Sequence, residues 1–387
     1  MNGKFFVYNS EELKRVISDK NEIFLSELIK IAYEKQILIG NLWQNFLTEI
    51  LISDENIFTL SCERKKSPEG SLKDFAIHDL KIFMELFSHK IPEQICNFKN
   101  PDLHENYVCK LSHELANAKT INEFYEKITN YYENNGVGIF GNNKAFRFEN
   151  EIITPVKNVG KITLREIIGY EIQKKELVMN TQAFVSGKPA NNVLLYGDGG
   201  TGKSSSIKAL LNEYYEKGLR IIEIYKYQFK NINEIIKKIR PRNYKFIIFI
   251  DDLSFEEDET EYKYLKALIE GGIETRPENI LIYATSNRRH IVREVWKDRD
   301  DMEHSGDIHR SDTVEEKLSL ASRFGIAINY SSPDRKTYHE IILSLAKNSG
   351  LNIPEEILLK NADSWEIRHG GKSGRAARQY IDYLLGH

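Results

Sequence analysis

The segment Gly197-Asp198-Gly199-Gly200-Thr201-Gly202-Lys203-Ser204 gathers glycines, a lysine and a hydroxyl in one short stretch. It satisfies the pattern G-x-x-x-x-G-K-[ST] at every specified position and follows the apolar run 193–196. The chemistry of such a stretch is phosphate binding. Glycines let successive backbone N–H groups curl around phosphate oxygens, and a helix starting near Lys203 aims the positive end of its dipole at them. Lys203 is placed to hold the β- and γ-phosphates and Ser204 to offer a hydroxyl to Mg²⁺, with Ser205 beside it. A second cluster follows the apolar run 246–250, where the chain reads Asp251-Asp252. Asp251 is placed to hold Mg²⁺ through its water shell, and Asp252 to orient or deprotonate an attacking water. Asp252 is one methylene shorter than a glutamate, so Glu256 is a second candidate for that task. The competing reading is a solvated acidic turn, since Glu257, Asp258, Glu259 and Glu261 follow.

Side chains so placed require a parallel sheet whose carboxyl ends carry them. Short β-branched runs at 193–196, 220–224, 246–250, 280–284 and 326–330 alternate with amphipathic helices, which predicts an α/β unit around a five-stranded parallel sheet. The helix after the phosphate loop is expected to bury Ile207, Leu210, Leu211 and Tyr214 and to stop at Gly218. Before this unit, residues 1–135 show helical spacing, as in Ile23, Leu25, Leu28, Ile29 and Tyr33, or Leu80, Phe83, Met84 and Phe87. Residues 136–160 are punctuated by Gly and Asn and read as a connector or small sheet. The expected organisation is thus a helical N-terminal domain (1–135), a connector (136–160), a nucleotide domain (161–330) and a helical lid (331–387). The lid opens with Ser332 and Pro333 as cap and first turn.

Composition excludes several alternatives. Of 387 residues, 41% are hydrophobic and 29% charged, the range of an ordinary globular protein. Lys plus Arg is 54 and Asp plus Glu 57, a net charge of −3, so no global field draws the chain to nucleic acid or anionic lipid. The three cysteines, Cys62, Cys96 and Cys109, fit neither a disulfide framework nor a metal spacing, which suits a reducing cytoplasm. The N-terminal stretch has no apolar signal core, and no window approaches the length of a membrane span.

In their order along the chain these motifs resemble an AAA+ P-loop ATPase. Thr285-Ser286-Asn287 resembles sensor 1, which implies that Asn287 touches the γ-phosphate or the attacking water. Ser319-Leu320-Ala321-Ser322-Arg323-Phe324-Gly325 resembles the arginine-finger segment of replication initiators and helicase loaders, which implies that Arg323 completes a neighbouring subunit's site. Ser373-Gly374-Arg375-Ala376-Ala377-Arg378 resembles sensor 2 on the lid, with Arg375 or Arg378 reaching phosphate. Leu164-Arg165-Glu166-Ile167-Ile168-Gly169-Tyr170 resembles the hinge that frames adenine, implicating Ile168 and Gly169. More narrowly, YGDGGTGKSSS, DDLSFE, ATSNRRH, SRFG and GRAARQ resemble a bacterial family catalogued as a domain of unknown function (family 815), over a region starting near Gly136. The resemblance implies ATP and Mg²⁺ as cofactors, hydrolysis of ATP, a homo-oligomer joined through Arg323, and remodelling of a protein or nucleic-acid complex. A protein partner is expected at the N-terminal domain.

Two other classes compete. A slow nucleotide-dependent switch fits the short Asp252, and a P-loop kinase fits the loop while leaving Asn287, Arg323 and the lid without a task. Asn287 could instead cap the turn after its strand, but the sensor 1 reading is preferred. Arg323 could complement a helix end begun by Asp312 and Glu315, and Arg375 and Arg378 could form a solvated basic stripe. Arg288, Arg289, His290 and Arg293 could touch nucleic-acid phosphates, though no aromatic residues interleave them. Trp296 to Asp312 reads as a polar loop whose His304 and His309 lack a metal partner pattern.

Overall fold

Seven strands form one sheet: β1 (Ala145–Glu149), β2 (Ile152–Pro155), β3 (Val193–Gly197), β4 (Leu219–Ile224), β5 (Lys245–Ile250), β6 (Ile280–Ser286) and β7 (Ile326–Tyr330). Their order is β2-β1-β4-β5-β6-β3-β7. The expected parallel strands β4, β5, β6, β3 and β7 are adjacent in that order, and β5 and β6 are buried almost throughout because helices cover both faces of a parallel sheet. The sheet therefore has seven strands where five were expected. The two additional strands come from the segment read as a connector. Phe146 and Phe148 of β1 point into the protein while their neighbours face out, and β1 pairs in parallel with β4. The chain then reverses through Asn150 and Glu151, both at positive φ (49° and 63°), the two-residue turn whose twist suits a hairpin, and β2 closes the edge antiparallel to β1.

The computed structural model describes residues 5–17, 25–89, 91–92, 95, 97–99, 107–255, 259, 261–270, 277–287 and 320–386. The chain divides into two compact units, Met1–Asn143 and Lys144–His387. The first is built from helices α1 (Glu11–Val16), α2 (Leu25–Glu34), α3 (Leu42–Ser53), α4 (Ile57–Glu63), α5 (Gly70–Phe87), α6 (Tyr107–Ala116), α7 (Ile121–Asn135) and α8 (Gly138–Asn142). Trp43, Phe46, Phe58, Phe83, Phe124 and Tyr132 fill its core. Asp79 of α5 is wholly buried there, and its carboxylate accepts from the backbone N–H groups of Phe6 (3.0 Å), Val7 (2.8 Å) and Tyr8 (3.1 Å), fastening the incoming chain to α5. The Tyr8 and Tyr132 hydroxyls meet at 2.9 Å, and Tyr132 donates onward to the Leu51 carbonyl. Cys62 and Cys109 are free thiols; Cys96 lies outside the described residues.

In the second unit α9 (Glu171–Val185) precedes β3, α10 (Lys203–Tyr214) follows it, α11 (Ile232–Ile239) joins β4 to β5, and α12 (Tyr262–Glu270) follows β5. Helix α10 buries Ile207, Leu210, Leu211 and Tyr214 as its spacing predicts, and after a 3₁₀ turn the chain leaves through Gly218 at φ +85°. The lid consists of α13 (Arg335–Asn348), α14 (Glu355–Arg368) and α15 (Gly374–Gly386), packed on Tyr338, Ile342, Ala362, Ala377 and Ile381. One expectation is corrected here. The cap of α13 is Asp334, which accepts from Thr337 N at 2.8 Å, whereas Ser332 is engaged elsewhere. Among the described residues no helix is long and apolar enough to cross a membrane.

Candidate functional site

The phosphate loop crosses from β3 to α10 in a conformation that its glycines make possible. Gly197 sits at φ +127°, and a side chain there would collide with the Tyr330 backbone of β7. Gly202, at φ +95°, caps α10 from a left-handed conformation, and Gly200, at φ +76°, lies against Ser373 and Arg375. Lys203 is buried, with 6% of its surface exposed. Its Nζ donates to the carbonyls of Gly197 (2.9 Å) and Asp198 (2.6 Å) and to Asn287 Oδ1 (3.1 Å). Burial pulls the ammonium below its ordinary range, and the carboxylates of Asp198, Asp252 and Asp251 only partly restore it. A cation held this way has its hydrogen-bonding directions filled by neutral oxygens, and an incoming anion relieves its cost.

The carboxylates at the end of β5 close a ring of hydrogen bonds with that lysine. Ser204 Oγ donates to Asp251 Oδ1 at 2.5 Å, and Thr285 Oγ1 donates to the same oxygen at 2.6 Å. Thr285 Oγ1 also accepts from Asp252 N at 2.9 Å. Asn287 Nδ2 donates to Asp252 Oδ1 at 2.7 Å while its Oδ1 receives Lys203. Asp252 adopts φ +54°, a left-handed backbone that aspartate reaches more readily than most non-glycine residues. The Ser204 hydroxyl and the Asp251 carboxylate are hard oxygen donors on one spot and suit Mg²⁺, which takes one or two protein ligands and keeps its waters. No group of three or more His, Cys, Asp or Glu gathers among the described residues.

These residues line a cleft of about 530 Å³. Its polar end is formed by Gly200, Thr201, Gly202, Lys203, Ser204 and Ser205 with Asp251, Asp252, Thr285 and Asn287. Its apolar end is formed by Ile162, Ile167, Ile168, Ile341 and Leu345, while Arg375 and Arg378 both reach it from α15. A flat base and a charged tail suit these two ends. Tyr170 frames the same end from φ +59°, its ring 5.0 Å from that of Tyr330 and its hydroxyl donating to the Ser331 carbonyl at 2.8 Å; burial pushes this phenol up to about 12. The lid touches the phosphate loop directly, Arg375 N donating to Gly200 O at 3.2 Å.

Several expected residues sit elsewhere. Gly197, Asp198 and Gly199 do not line the cleft. The Asp198 carboxylate turns to the lid linker and accepts from Ser332 N (2.6 Å) and Ser332 Oγ (2.8 Å); these bonds, the hydroxyl's first, hold its carboxyl below the usual range. Gly169 does not line the cleft either, and at φ +76° it faces Thr337 of α13, whose methyl would meet any added side chain. Arg323 ends a one-turn 3₁₀ helix, Ala321–Arg323, just before β7. Because β7 runs parallel to β3, with Val193 opposite Ile326 and Gly197 opposite Tyr330, Arg323 stands at the amino edge of the sheet. Its own cleft is at the carboxyl edge, roughly 15 Å away for a five-residue strand. Arg288, Arg289, His290, Arg293, Glu256, His304, His309, Asp312 and Glu315 lie outside the described residues. Sequence reasoning missed Ile162, Ile341 and Leu345, visible beforehand only as apolar helix or hinge residues, and it gave Thr285 no task of its own.

A family model described as "Protein of unknown function (DUF815)" matches residues 141–387. Among solved structures, the Thermotoga maritima RuvB Holliday junction branch migration motor is similar at 17% identity over 58% of this chain and 72% of that chain, with a TM-score of 0.36. The FIGL-1 AAA domain in complex with ADP is similar at 18% identity over 58% of this chain and 73% of that one, with a TM-score of 0.41.

Proposed function

The chain belongs to the family described as a protein of unknown function (DUF815), and we propose that it binds ATP with Mg²⁺ in the cleft and hydrolyses it in the manner of an AAA+ ATPase. The observation that carries this reading is the closed ring from Lys203 through Asn287, Asp252, Thr285 and Asp251 to Ser204. Such a ring holds a phosphate-binding cation, a water-orienting carboxylate and two oxygen donors for a metal within one cleft. The apolar end takes adenine. The amides of the phosphate loop and the start of α10 take the β- and γ-phosphates, and Lys203 exchanges its carbonyl partners for phosphate oxygens. Ser204 and Asp251 would hold Mg²⁺, which when bound would offset charge on the phosphate tail. Asn287 fixes one oxygen of Asp252, and the other accepts from the attacking water and takes its proton. Arg375 or Arg378 offsets phosphate charge from the lid.

Arg323 belongs to a different site. From the amino edge of its own sheet it serves the cleft of a neighbouring copy, so the active form is a homo-oligomer, and an arginine supplied in trans is worth roughly 10³–10⁵ in rate in other P-loop proteins. The hydrolysis drives remodelling of a protein or nucleic-acid complex, with the helical unit as the partner-selecting part. A second reading, a slow switch that holds ATP and changes shape, is favoured by Asp252 itself, which is short and tied to Asn287. Turnover per subunit measured against protein concentration decides between them. Specific activity that climbs with concentration and vanishes in Lys203→Ala and Arg323→Ala supports the motor. Tight ATP retention with turnover at the Lys203→Ala level supports the switch, and full activity in a monomer overturns the shared site.

A further inference from the structure

Strands β5 and β6 are in register with Ile250 opposite Ala284, so the chain leaves β5 beside Thr285. There the ladder changes character. Asp252 N–H donates to the side chain of Thr285 at 2.9 Å rather than to a backbone carbonyl, and a main-chain bond resumes one residue later, from Leu253 N to Thr285 O at 2.7 Å. The same hydroxyl donates to Asp251 Oδ1 at 2.6 Å, so the one proton and one of the two acceptor sites of Thr285 are committed to consecutive acidic residues. Thr285 is 2% exposed and sits in the cleft wall beside Asp251, Asp252 and Asn287. We propose that Thr285 is a positioning residue that sets both carboxylates at once, orienting Asp251 for the metal and holding Asp252 in its left-handed conformation so that its side chain meets Asn287.

The assignment follows from what each bond does. Asp251 Oδ1 receives two hydroxyl protons, from Ser204 and Thr285, which fixes the plane of the carboxylate. Asp252 at φ +54° is in the left-handed region, which aspartate enters more readily than most residues but which is still uncommon, and the hydrogen bond from its amide helps to hold it there. Losing the Thr285 hydroxyl therefore frees two groups in one step, and only a hydroxyl on this β-carbon can replace it.

The inference rests on the ATP and Mg²⁺ reading, and the test separates the two. Binding of a fluorescent ATP analogue is titrated with Mg²⁺ in the full chain, for the unsubstituted protein, Thr285→Val, Thr285→Ser and Lys203→Ala, with turnover recorded alongside. Thr285→Val keeps nearly the same shape without the hydroxyl. It is expected to raise the Mg²⁺ concentration at half-effect by about ten- to a hundredfold, to leave Mg²⁺-free nucleotide affinity unchanged, and to lower kcat with little change in KM. Thr285→Ser is expected to restore both. If Thr285→Val does not fold, Thr285→Ala is measured in the same way. A Thr285→Val that titrates and turns over like the unsubstituted protein overturns the proposal, as does a Thr285→Ser as impaired as the valine variant. If the unsubstituted protein binds nucleotide no better than Lys203→Ala, the ATP reading fails and this inference falls with it.

Discussion

Asp79 and Lys203 are both buried charges, one in each unit, and they are satisfied in opposite ways. Asp79 accepts three consecutive backbone amides, so its charge is spent on joining the chain around residue 7 to α5, and nothing about it waits for a ligand. Lys203 bonds two backbone carbonyls and an amide oxygen, and burial pulls its ammonium below the ordinary range despite the carboxylates of Asp198, Asp252 and Asp251 nearby. Both ions are held by neutral dipoles, but Asp79 is sealed in a core and acts as a fastener, whereas Lys203 lines a cleft where an anion can take the place of its partners. The difference lies in what the backbone offers. The stretch Phe6–Tyr8 turns successive N–H groups inward toward a carboxylate, and the phosphate loop turns the carbonyls of Gly197 and Asp198 toward an ammonium.

Three substitutions would break or sharpen the contrast, taken from the largest effect down. Asp79→Ala strands three amides in the helical unit and should destabilise it by about 3–5 kcal/mol, read as fast amide exchange at Phe6, Val7 and Tyr8 and as early melting. A variant that melts normally would mean that water takes the place of the carboxylate. Lys203→Ala should leave melting within about 1 kcal/mol of the unsubstituted protein while weakening ATP binding by about ten- to a hundredfold, the loss of a charge-assisted contact. A large loss of stability there would make Lys203 a second fastener. The smallest effect concerns Asp198, whose carboxyl is held below its ordinary value of 3.8 by Ser332. A depressed acid contributes stability above the unfolded value, lost as pH falls through the folded one. The melting difference between the unsubstituted protein and Asp198→Ala should therefore be steady near neutral pH and shrink on acidification below about pH 4. A difference that does not change with pH would assign the effect to packing.

What could be read from the sequence was whatever each residue requires of itself. The phosphate loop is legible because its glycines answer local demands, as at Gly197, where the Tyr330 backbone leaves no space for a side chain. The central strands are legible because a strand covered on both faces must be apolar throughout, as β5 is. Features that depend on register or on a distant partner were not legible. Strands β1 and β2 are short, and β1 is defined by pairing with β4 far along the chain. Ser332 looked like a helix cap because it precedes a proline, but its hydroxyl is taken by Asp198, over a hundred residues earlier in the sequence, and Asp334 caps instead. Thr285 is one threonine at the end of an apolar run until the register of β5 and β6 sets it against two aspartates. Helical spacing also overreached at Tyr33, which extends the apolar stripe of α2 yet is 72% exposed.

The two contacts between lid and phosphate loop, Arg375 N to Gly200 O and Ser332 to Asp198, set a timescale. On the ATP reading proposed above, nucleotide would pass between the surfaces they join, so each exchange would wait for them to part. At roughly 1 kcal/mol for a typical hydrogen bond, these three bonds together would slow exchange by about a hundredfold or somewhat more, too little to trap a nucleotide and enough to give each state of the cleft a measurable lifetime. The lid is thus a timer set by a handful of backbone and hydroxyl protons, and its interval can be lengthened or shortened one bond at a time.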